Sequence, residues 1–181
     1  MIVFICSPMG TGKTLTLTAL GYYLHQIGFD IYSNYPVNYE HQAIITPNEI
    51  EGIKNGIFLG DELWAWMDSR VSASKKNKAI SGILLKSRKR GFHVLHTAQF
   101  FSQPDKRLRE HTDVLVVPEY DELSLSCNVE IYRYKGHDQI DPTPLNSFVI
   151  NAVPVFDLYD SYQGIYEEVE GLDNHQPAKA V

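Results

Sequence analysis

Eight consecutive residues near the start of the chain have the composition of a phosphate-binding loop. The run Ser7–Thr14 reads Ser-Pro-Met-Gly-Thr-Gly-Lys-Thr and follows a short apolar segment. Gly10 and Gly12 allow tight turns that point successive backbone N–H groups at phosphate oxygens. Lys13 supplies an ammonium group for the β- and γ-phosphates, and the hydroxyl of Thr14 is a ligand for Mg²⁺. We therefore expect this loop to bind the phosphates of a nucleotide.

The loop departs at one position from the pattern G-x-x-x-x-G-K-[ST], because Ser7 stands where that pattern has its first glycine. Serine can occupy the turn if its φ angle stays negative, and we interpret it as a tolerated variant. The residues expected to contact the nucleotide are Pro8, Met9, Gly10, Thr11, Gly12, Lys13, Thr14 and Leu15.

Two adjacent acidic residues follow a second apolar segment. The run Ile57–Gly60 leads directly into Asp61 and Glu62. A carboxylate at the tip of such a strand can hold Mg²⁺ opposite Thr14, a role that we assign to Asp61. The neighbouring Glu62 can polarise an attacking water, which nucleotide hydrolysis requires and a small-molecule kinase does not. The pair therefore favours a hydrolase over a kinase, and the lack of an N-K-x-D base-reading motif argues against a GTPase.

Polar residues also flank a third strand signal, Phe92–Thr97. Gln99 follows it, so its amide would lie at a strand tip, where it can sense the γ-phosphate or orient the attacking water. Arg88 and Arg90 precede the strand by a short turn. In a ring of subunits an arginine can enter a neighbour's site as an arginine finger, and we assign this catalytic role to Arg88.

The charges of the 181-residue chain are strongly segregated, although its net charge is only −6. The segment from Arg70 to Arg109 has eleven Lys and Arg residues against the single acid Asp105, whereas the remainder has five basic and 21 acidic residues. Such asymmetry indicates an anion-binding surface on an otherwise acidic protein. The further candidates for contacting DNA or supplying an arginine finger are Arg70, Lys75, Lys76, Lys78, Lys86 and Arg90.

Strand and helix signals alternate along the first 117 residues. Apolar runs at Ile2–Cys6, Ile57–Leu59 and Phe92–Thr97 are typical of buried parallel strands, and Thr14–Ile27 has the apolar spacing of a helix. After Pro118 the pattern changes to short strands separated by turns. The sequence therefore predicts an α/β fold of the P-loop NTPase type, with a parallel sheet flanked by helices and a few antiparallel strands after residue 118.

The domain organisation expected from the sequence is simple. We expect one ATPase domain over residues 1–165, a helix over 75–89 and a loose acidic tail over 166–181.

Cys6 and Cys127 have no ligand partners at metal-binding spacing, which predicts neither a zinc site nor a disulfide framework. No apolar run approaches the roughly 20 residues that span a bilayer, and the start lacks the basic region of a secretory signal. These features favour a cytoplasmic protein.

Taken together, residues 1–117 resemble the ATPase domain of the FtsK–HerA superfamily, and within it the Zot-like branch. That branch includes the assembly ATPases of filamentous phages and zonula occludens toxin, and soluble relatives in the superfamily package the genomes of icosahedral viruses. The matching segments are the loop Ser7–Thr14, the second strand Ile31–Asn34, the run from Ile57 to Arg70, the arginine–glycine–strand–glutamine block Ser87–Gln99 and the closing segment Val155–Tyr162.

The resemblance implies a ring-forming homo-oligomer, with a hexamer as one option, that hydrolyses ATP with Mg²⁺ and translocates DNA. The expected substrate is double-stranded DNA. The expected role is packaging of a viral genome, in the host cytoplasm or in association with the virion. A second interpretation is an ATPase of virion assembly or secretion that acts on protein and docks to a capsid or membrane partner. A third is a nucleotide-dependent switch that assembles with ATP but barely hydrolyses it.

Overall fold

A single eight-stranded sheet organises the chain. The computed structural model describes residues 1–66, 82, 86–136 and 139–160. The strands are β1 (Ile2–Cys6), β2 (Ile31–Ser33), β3 (Gln42–Ala43), β4 (Ile57–Gly60), β5 (His93–Ala98), β6 (Val114–Asp121), β7 (Ser126–Arg133) and β8 (Asn146–Asn151).

The strand order is β3-β2-β4-β5-β1-β6-β7-β8. The first six strands in this order, from β3 through β1 to β6, are parallel to one another. At the other edge of the sheet, β7 pairs antiparallel with β6, and β8 pairs antiparallel with β7. This architecture confirms the predicted α/β fold, including its antiparallel strands after residue 118. Because β1, β2, β4 and β5 run in one direction, the residues that follow each of them meet at one edge of the sheet.

Short helices connect the strands. They are α1 (Lys13–Gln26), α2 (Ser87–Arg90), α3 (Lys106–Glu110) and α4 (Val153–Phe156), together with 3-10 helices over Pro47–Gly52 and Leu63–Ala65. Helix α1 begins one residue before the predicted Thr14. Most of the helix predicted over 75–89 lies outside the described residues, and α2 accounts for its end.

Side chains of β1 alternate between two apolar cores. Val3 and Ile5 face the core that contains Leu17 of α1, whereas Phe4 faces a second, smaller cluster with Leu115 of β6. The near-continuous burial of Ile2–Cys6 follows from this position, because a central parallel strand is covered on both faces. The sheet thus holds the end of β1, where the phosphate-binding loop starts, at the centre of the molecule.

Pro118 does not end a strand, although the sequence pattern changes there. It lies inside β6 and pairs with Val129 of β7. The pairing of β6 with β1 reaches only Val116, so Pro118 meets no β1 partner, and its missing N–H removes no bond to that strand. As a result β6 continues to Asp121 beside the phosphate-binding loop.

Within the described part of the chain, no helix combines the length and the apolarity that a membrane crossing needs. The division into a domain over 1–165 and a tail over 166–181 stays a prediction, because residues 161–181 lie outside the described ranges.

Candidate nucleotide-binding and catalytic site

The phosphate-binding loop joins β1 to α1 in the geometry that the sequence predicts. Gly10 and Gly12 have φ angles of 78° and 86°, in the left-handed region that glycine adopts without a steric penalty. Gly12 has a second reason to be glycine: an added Cβ would lie 3.0 Å from Cys127 Sγ and 3.1 Å from Tyr120 Cβ. Gly12 is also the N-cap of α1, so the loop ends at the positive end of the helix dipole.

Ser7 takes the place of the first glycine without backbone strain. It is not among the residues with positive φ, as the tolerated-variant interpretation requires. Its hydroxyl lies 2.5 Å from Thr11 Oγ1, which itself donates to the carbonyl of Pro8 at 2.7 Å. The serine therefore contributes a hydrogen bond across the loop that glycine could not make.

Lys13 lies folded into its own loop. Its ammonium donates to the carbonyl oxygen of Pro8 at 2.7 Å, and the residue is 7% exposed. Burial lowers the pKa of Lys13, while the carboxylates of Glu62 and Asp61 act in the opposite direction. The ammonium therefore occupies a partly desolvated position in which an added anion would be a strong partner.

The hydroxyl of Thr14 and the carboxylate of Asp61 meet across the site. Thr14 Oγ1 donates to Asp61 Oδ2 at 3.0 Å, and Thr97 Oγ1 donates to Asp61 Oδ1 at 2.6 Å. Burial raises the pKa of Asp61 to about 6, although these two hydrogen bonds lower it. The carboxylate is thus held by two hydroxyls in a place where its charge is poorly solvated.

The Thr14–Asp61 pair fits a magnesium ion. A hydroxyl and a carboxylate are hard oxygen donors, and Mg²⁺ in nucleotide sites takes one or two such protein ligands together with phosphate oxygens and water. A divalent cation would also offset the desolvation that raises the pKa of Asp61. No cluster of three or more acidic, histidine or cysteine side chains suited to a metal occurs among the described residues.

Asn34 was not predicted as a site residue, yet it positions Asp61. Its side-chain amide donates to the carbonyl of Asp61 at 2.8 Å, and its side-chain oxygen accepts from the Asp61 N–H at 2.7 Å. Asn34 follows β2 directly, just as Asp61 follows β4. A polar residue at the carboxyl end of a predicted parallel strand was the signal that could have identified it.

Glu62 lies beside Asp61 in an unusual backbone conformation. Its φ and ψ angles are 45° and 37°, in the left-handed region, and its N–H donates to Thr97 Oγ1 at 2.8 Å. Thr97, which the sequence analysis did not assign to the site, therefore contacts both acids. It fixes the carboxylate of Asp61 and the backbone of Glu62 through a single hydroxyl.

The carboxylate of Glu62 has two side-chain neighbours. Trp64 Nε1 donates to Glu62 Oε2, and Gln99 Nε2 lies 3.5 Å from Glu62 Oε1, at the outer limit of a hydrogen bond. The prediction that Glu62 and Gln99 would lie at neighbouring strand tips is consistent with this contact. Trp64 was not predicted as a site residue, and its hydrogen bond to Glu62 brings it next to the site.

Residues of the phosphate-binding loop line one cleft of about 350 Å³ together with Glu62 and Gln99. Its lining includes Glu62, Gln99 and the loop residues Lys13 and Thr14, and also three aromatic residues that were not predicted as site residues. The full lining is Met9, Gly10, Gly12, Lys13, Thr14, Leu15, Glu62, Gln99, Tyr120, Phe156 and Tyr159. Of the eight predicted nucleotide contacts, Pro8 and Thr11 do not line the cleft but support the loop from within.

The basic segment is only partly described. Arg70, Lys75, Lys76 and Lys78 lie outside the described residues, as does the side chain of Arg88, whereas Lys86 is exposed and Arg90 is half-buried. Helix α2, which contains Arg88 and Arg90, lies at the amino end of β5, where the Arg90 carbonyl accepts from Asn55 N–H. Strand β5 separates α2 from Gln99 by roughly 17 Å. The cleft and the backbone of α2 are therefore at opposite ends of β5.

His93 and His96 do not form a shared site. His96 is fully buried and stacks on Phe4 with ring centroids 4.6 Å apart, and neither of its ring nitrogens has a hydrogen-bond partner among the described residues. His93 Nδ1 lies 2.8 Å from the N-terminal nitrogen of Met1. The two rings therefore lie in different surroundings.

Comparisons with known proteins find similarity at the level of structure. No protein-family model matches the chain, and no curated protein matches it either. The N-terminal domain of zonular occludens toxin from Neisseria meningitidis superposes with a TM-score of 0.62 at 16% identity, covering 88% of this chain and 98% of that domain.

A viral protein shares the same architecture. The genome packaging NTPase B204 from Sulfolobus turreted icosahedral virus 2, in complex with ATP-gammaS, superposes with a TM-score of 0.55 at 9% identity and covers 77% of this chain and 94% of that one. Its complex with AMP gives a TM-score of 0.50 at 10% identity, covering 67% of this chain and 76% of that one. The chain therefore has the P-loop NTPase fold found in the zonular occludens toxin domain and in this packaging NTPase, as the resemblance of its motifs predicted.

Proposed function

We propose that the chain binds ATP and hydrolyses it. The observation that carries this proposal is the contact between Thr14 Oγ1 and Asp61 Oδ2, which joins the phosphate-binding loop to the acidic pair across 47 residues of sequence. Glu62 lies at the same cleft as Lys13. A cation ligand pair, a phosphate-binding ammonium and a candidate general base are the groups that hydrolysis of a nucleoside triphosphate requires.

Each residue of the site has a distinct role in this proposal. The loop N–H groups and Lys13 bind the phosphates, with the ammonium exchanging the Pro8 carbonyl for a phosphate oxygen. Thr14 and Asp61 hold Mg²⁺, which neutralises charge that develops on the phosphates. Glu62 accepts a proton from the attacking water, and Gln99, whose amide lies near the Glu62 carboxylate, orients that water.

We further propose that hydrolysis drives translocation of double-stranded DNA, most simply during packaging of a viral genome. Two observations support this role: the basic charge concentrated between Arg70 and Arg109, and the fold shared with an NTPase described as genome-packaging. Phosphate contacts by lysine and arginine supply sequence-independent DNA binding, which a packaging motor needs. The site of action would be the host cytoplasm or the virion.

A ring of identical subunits completes the proposed machinery. Because the backbone of α2 lies at the opposite end of β5 from the cleft, we assign Arg88 as an arginine finger for another subunit. A ring places one subunit's distal edge against its neighbour's cleft, with a hexamer as one arrangement. The basic residues that do not enter a neighbouring site would be available for DNA.

Two alternative functions have an observation in their favour. The toxin domain covers more of this chain than the packaging NTPase does, which favours a Zot-like ATPase that acts on protein during virion assembly or secretion at a capsid or membrane partner. The hydrogen bond from Trp64 to Glu62 engages the proposed base, which favours a nucleotide-dependent switch with little turnover.

Steady-state ATP hydrolysis with and without double-stranded DNA, at low and moderate salt, separates these functions. Lys13→Ala is the blank, since it removes the phosphate-binding ammonium. Stimulation by DNA that declines as salt rises is the result expected of a translocase. Hydrolysis that DNA does not change would favour the assembly ATPase, and nucleotide-dependent assembly with negligible turnover would favour the switch. Equal activity of wild type and Lys13→Ala would refute the proposed site.

A further inference from the structure

Three aromatic residues line the cleft together with the phosphate-binding loop. Tyr120 lies near the end of β6, Phe156 is the last residue of α4, and Tyr159 follows three residues later. The rings of Tyr120 and Phe156 are in edge-to-face contact, with centroids 6.2 Å apart and planes at 82°. Tyr159 is buried, whereas Phe156 is 42% exposed. The site therefore presents an open aromatic surface that a second aromatic ring braces.

This aromatic surface is attached to the phosphate-binding loop. The N–H of Tyr120 donates to the carbonyl of Thr11 at 3.2 Å, and Tyr120 Cβ lies 3.1 Å from where a Cβ on Gly12 would be. Its distance from the loop is thus set by backbone contacts. In the sheet, β6 lies on the opposite side of β1 from β4 and β5, which hold Glu62 and Gln99. A molecule bound across the loop would have one end at the acids and the other at the aromatic rings.

We propose that the base of the bound nucleotide stacks on Phe156, with Tyr120 holding the Phe156 ring in place. This inference rests on the proposed nucleotide binding, since it assumes that the γ-phosphate lies at the Glu62 end of the cleft. Stacking on an aromatic face is favourable for every base, because each base has a π-face. The exposed Phe156 ring also loses water contact when a base covers it.

The same surface predicts weak discrimination between bases. Beside Phe156, the polar side-chain groups that line the cleft, as far as the described residues go, are the phenol groups of Tyr120 and Tyr159. Burial raises the pKa of Tyr159 to about 12, so its hydroxyl stays neutral. Two neutral hydroxyls offer little of the edge-specific hydrogen bonding that separates adenine from guanine. We therefore expect ATP and GTP to bind with similar affinity and to depend on Phe156 to the same extent.

Equilibrium binding of three probes tests the assignment: ATP, GTP and inorganic tripolyphosphate, each in Mg²⁺ buffer. Tripolyphosphate has the phosphates of ATP without the base, so it reports on the loop alone. Phe156→Ala should weaken ATP and GTP by about 10-fold, within the roughly 5- to 150-fold expected from stacking, and leave tripolyphosphate unchanged. Phe156→Trp should restore tight binding, because it replaces one aromatic face with a larger one.

Phe29→Ala is the matched control, since Phe29 is also a surface phenylalanine, 38% exposed, and does not line the cleft. If Lys13→Ala abolishes ATP binding but Phe156→Ala leaves ATP affinity unchanged, the stacking assignment is overturned and the proposed function stays intact. Equal weakening of tripolyphosphate would also overturn it, because Phe156 would then act on the loop. A wild-type chain that binds neither ATP nor tripolyphosphate would refute the proposed function itself, and the base site with it.

Discussion

Replacing Glu62 with glutamine isolates the proposed general base from everything else that Glu62 does. Glutamine has the same shape as glutamate, and its side-chain oxygen can still accept the hydrogen bond from Trp64 Nε1. The main-chain bond from residue 62 to Thr97 Oγ1 is unaffected by the change. The left-handed backbone at this position penalises glutamine and glutamate alike. The fold and the phosphate-binding loop should therefore be preserved, and the ability to accept a proton should be lost.

We expect Glu62→Gln to lower the rate of ATP hydrolysis by about 10²-fold or more, the usual contribution of general-base assistance. A 10²-fold loss corresponds to about 2.7 kcal/mol in the activation free energy. The measurement is single-turnover hydrolysis of radiolabelled ATP with enzyme in excess, because this reports the chemical step without product release. ATP affinity is measured in parallel by calorimetry and should stay within about threefold of wild type.

Glu51→Gln provides the matched control, because Glu51 is an exposed glutamate on the 3-10 helix over Pro47–Gly52 and does not line the cleft. It removes the same charge and should leave hydrolysis unchanged. If the Glu62→Gln variant still binds ATP and hydrolyses it at a rate within threefold of wild type, the assignment of Glu62 as the base is refuted. Loss of ATP binding instead would show that Glu62 acts on the ground state.

Three further predictions concern residues around the site and in the core. Trp64→Phe removes the indole donor; if that bond to Glu62 must break before the proton transfer, kcat should rise by about 3- to 10-fold with KM unchanged. A lower kcat would contradict this. Gly21→Ala should lower the free energy of unfolding, measured in urea titrations, by about 1–2 kcal/mol. The new Cβ would lie 2.4 Å from Leu59 Cδ1, and this overpacking costs more than alanine gains in helix propensity. Stability equal to wild type would show that the contact relaxes freely. Burial lowers the pKa of His96 to about 3. Below pH 6.5 the unfolded chain therefore binds a proton on this residue that the folded chain does not. The free energy of unfolding should fall as the pH drops from about 6.5 towards 3, by at most about 5 kcal/mol. His96→Leu should remove most of this loss in pH-dependent unfolding, and an unchanged acid profile would assign the loss to other groups.

Much of the fold was predictable because its signals are local. The buried strands β1, β4 and β5 are short apolar runs that end in turn residues or polar groups, and α1 has helical apolar spacing. The extension of β6 through Pro118 was not predictable in the same way. Whether proline can lie inside a strand depends on which neighbour needs its N–H, and that neighbour is set by the sheet order.

The candidate site divides along the same line. The phosphate-binding loop is a contiguous segment whose backbone conformation depends on Gly10 and Gly12, so the sequence alone determined it. The acidic pair was recognisable because it directly follows an apolar strand. The motifs predicted that Asp61 would hold Mg²⁺ opposite Thr14, and in the structure the two side chains make a direct hydrogen bond of 3.0 Å.

Only the tertiary structure decided which other side chains complete the site. Asn34, Thr97 and Phe156 come from three distant parts of the chain, and no spacing within the sequence links any of them to the phosphate-binding loop. Parallel strands bring their carboxyl ends to one edge, so residues that follow different strands become neighbours. The same geometry places α2, at the amino end of β5, at the opposite end of that strand from the cleft. Sequence determined the chemistry of single segments, and strand order and direction determined which segments meet.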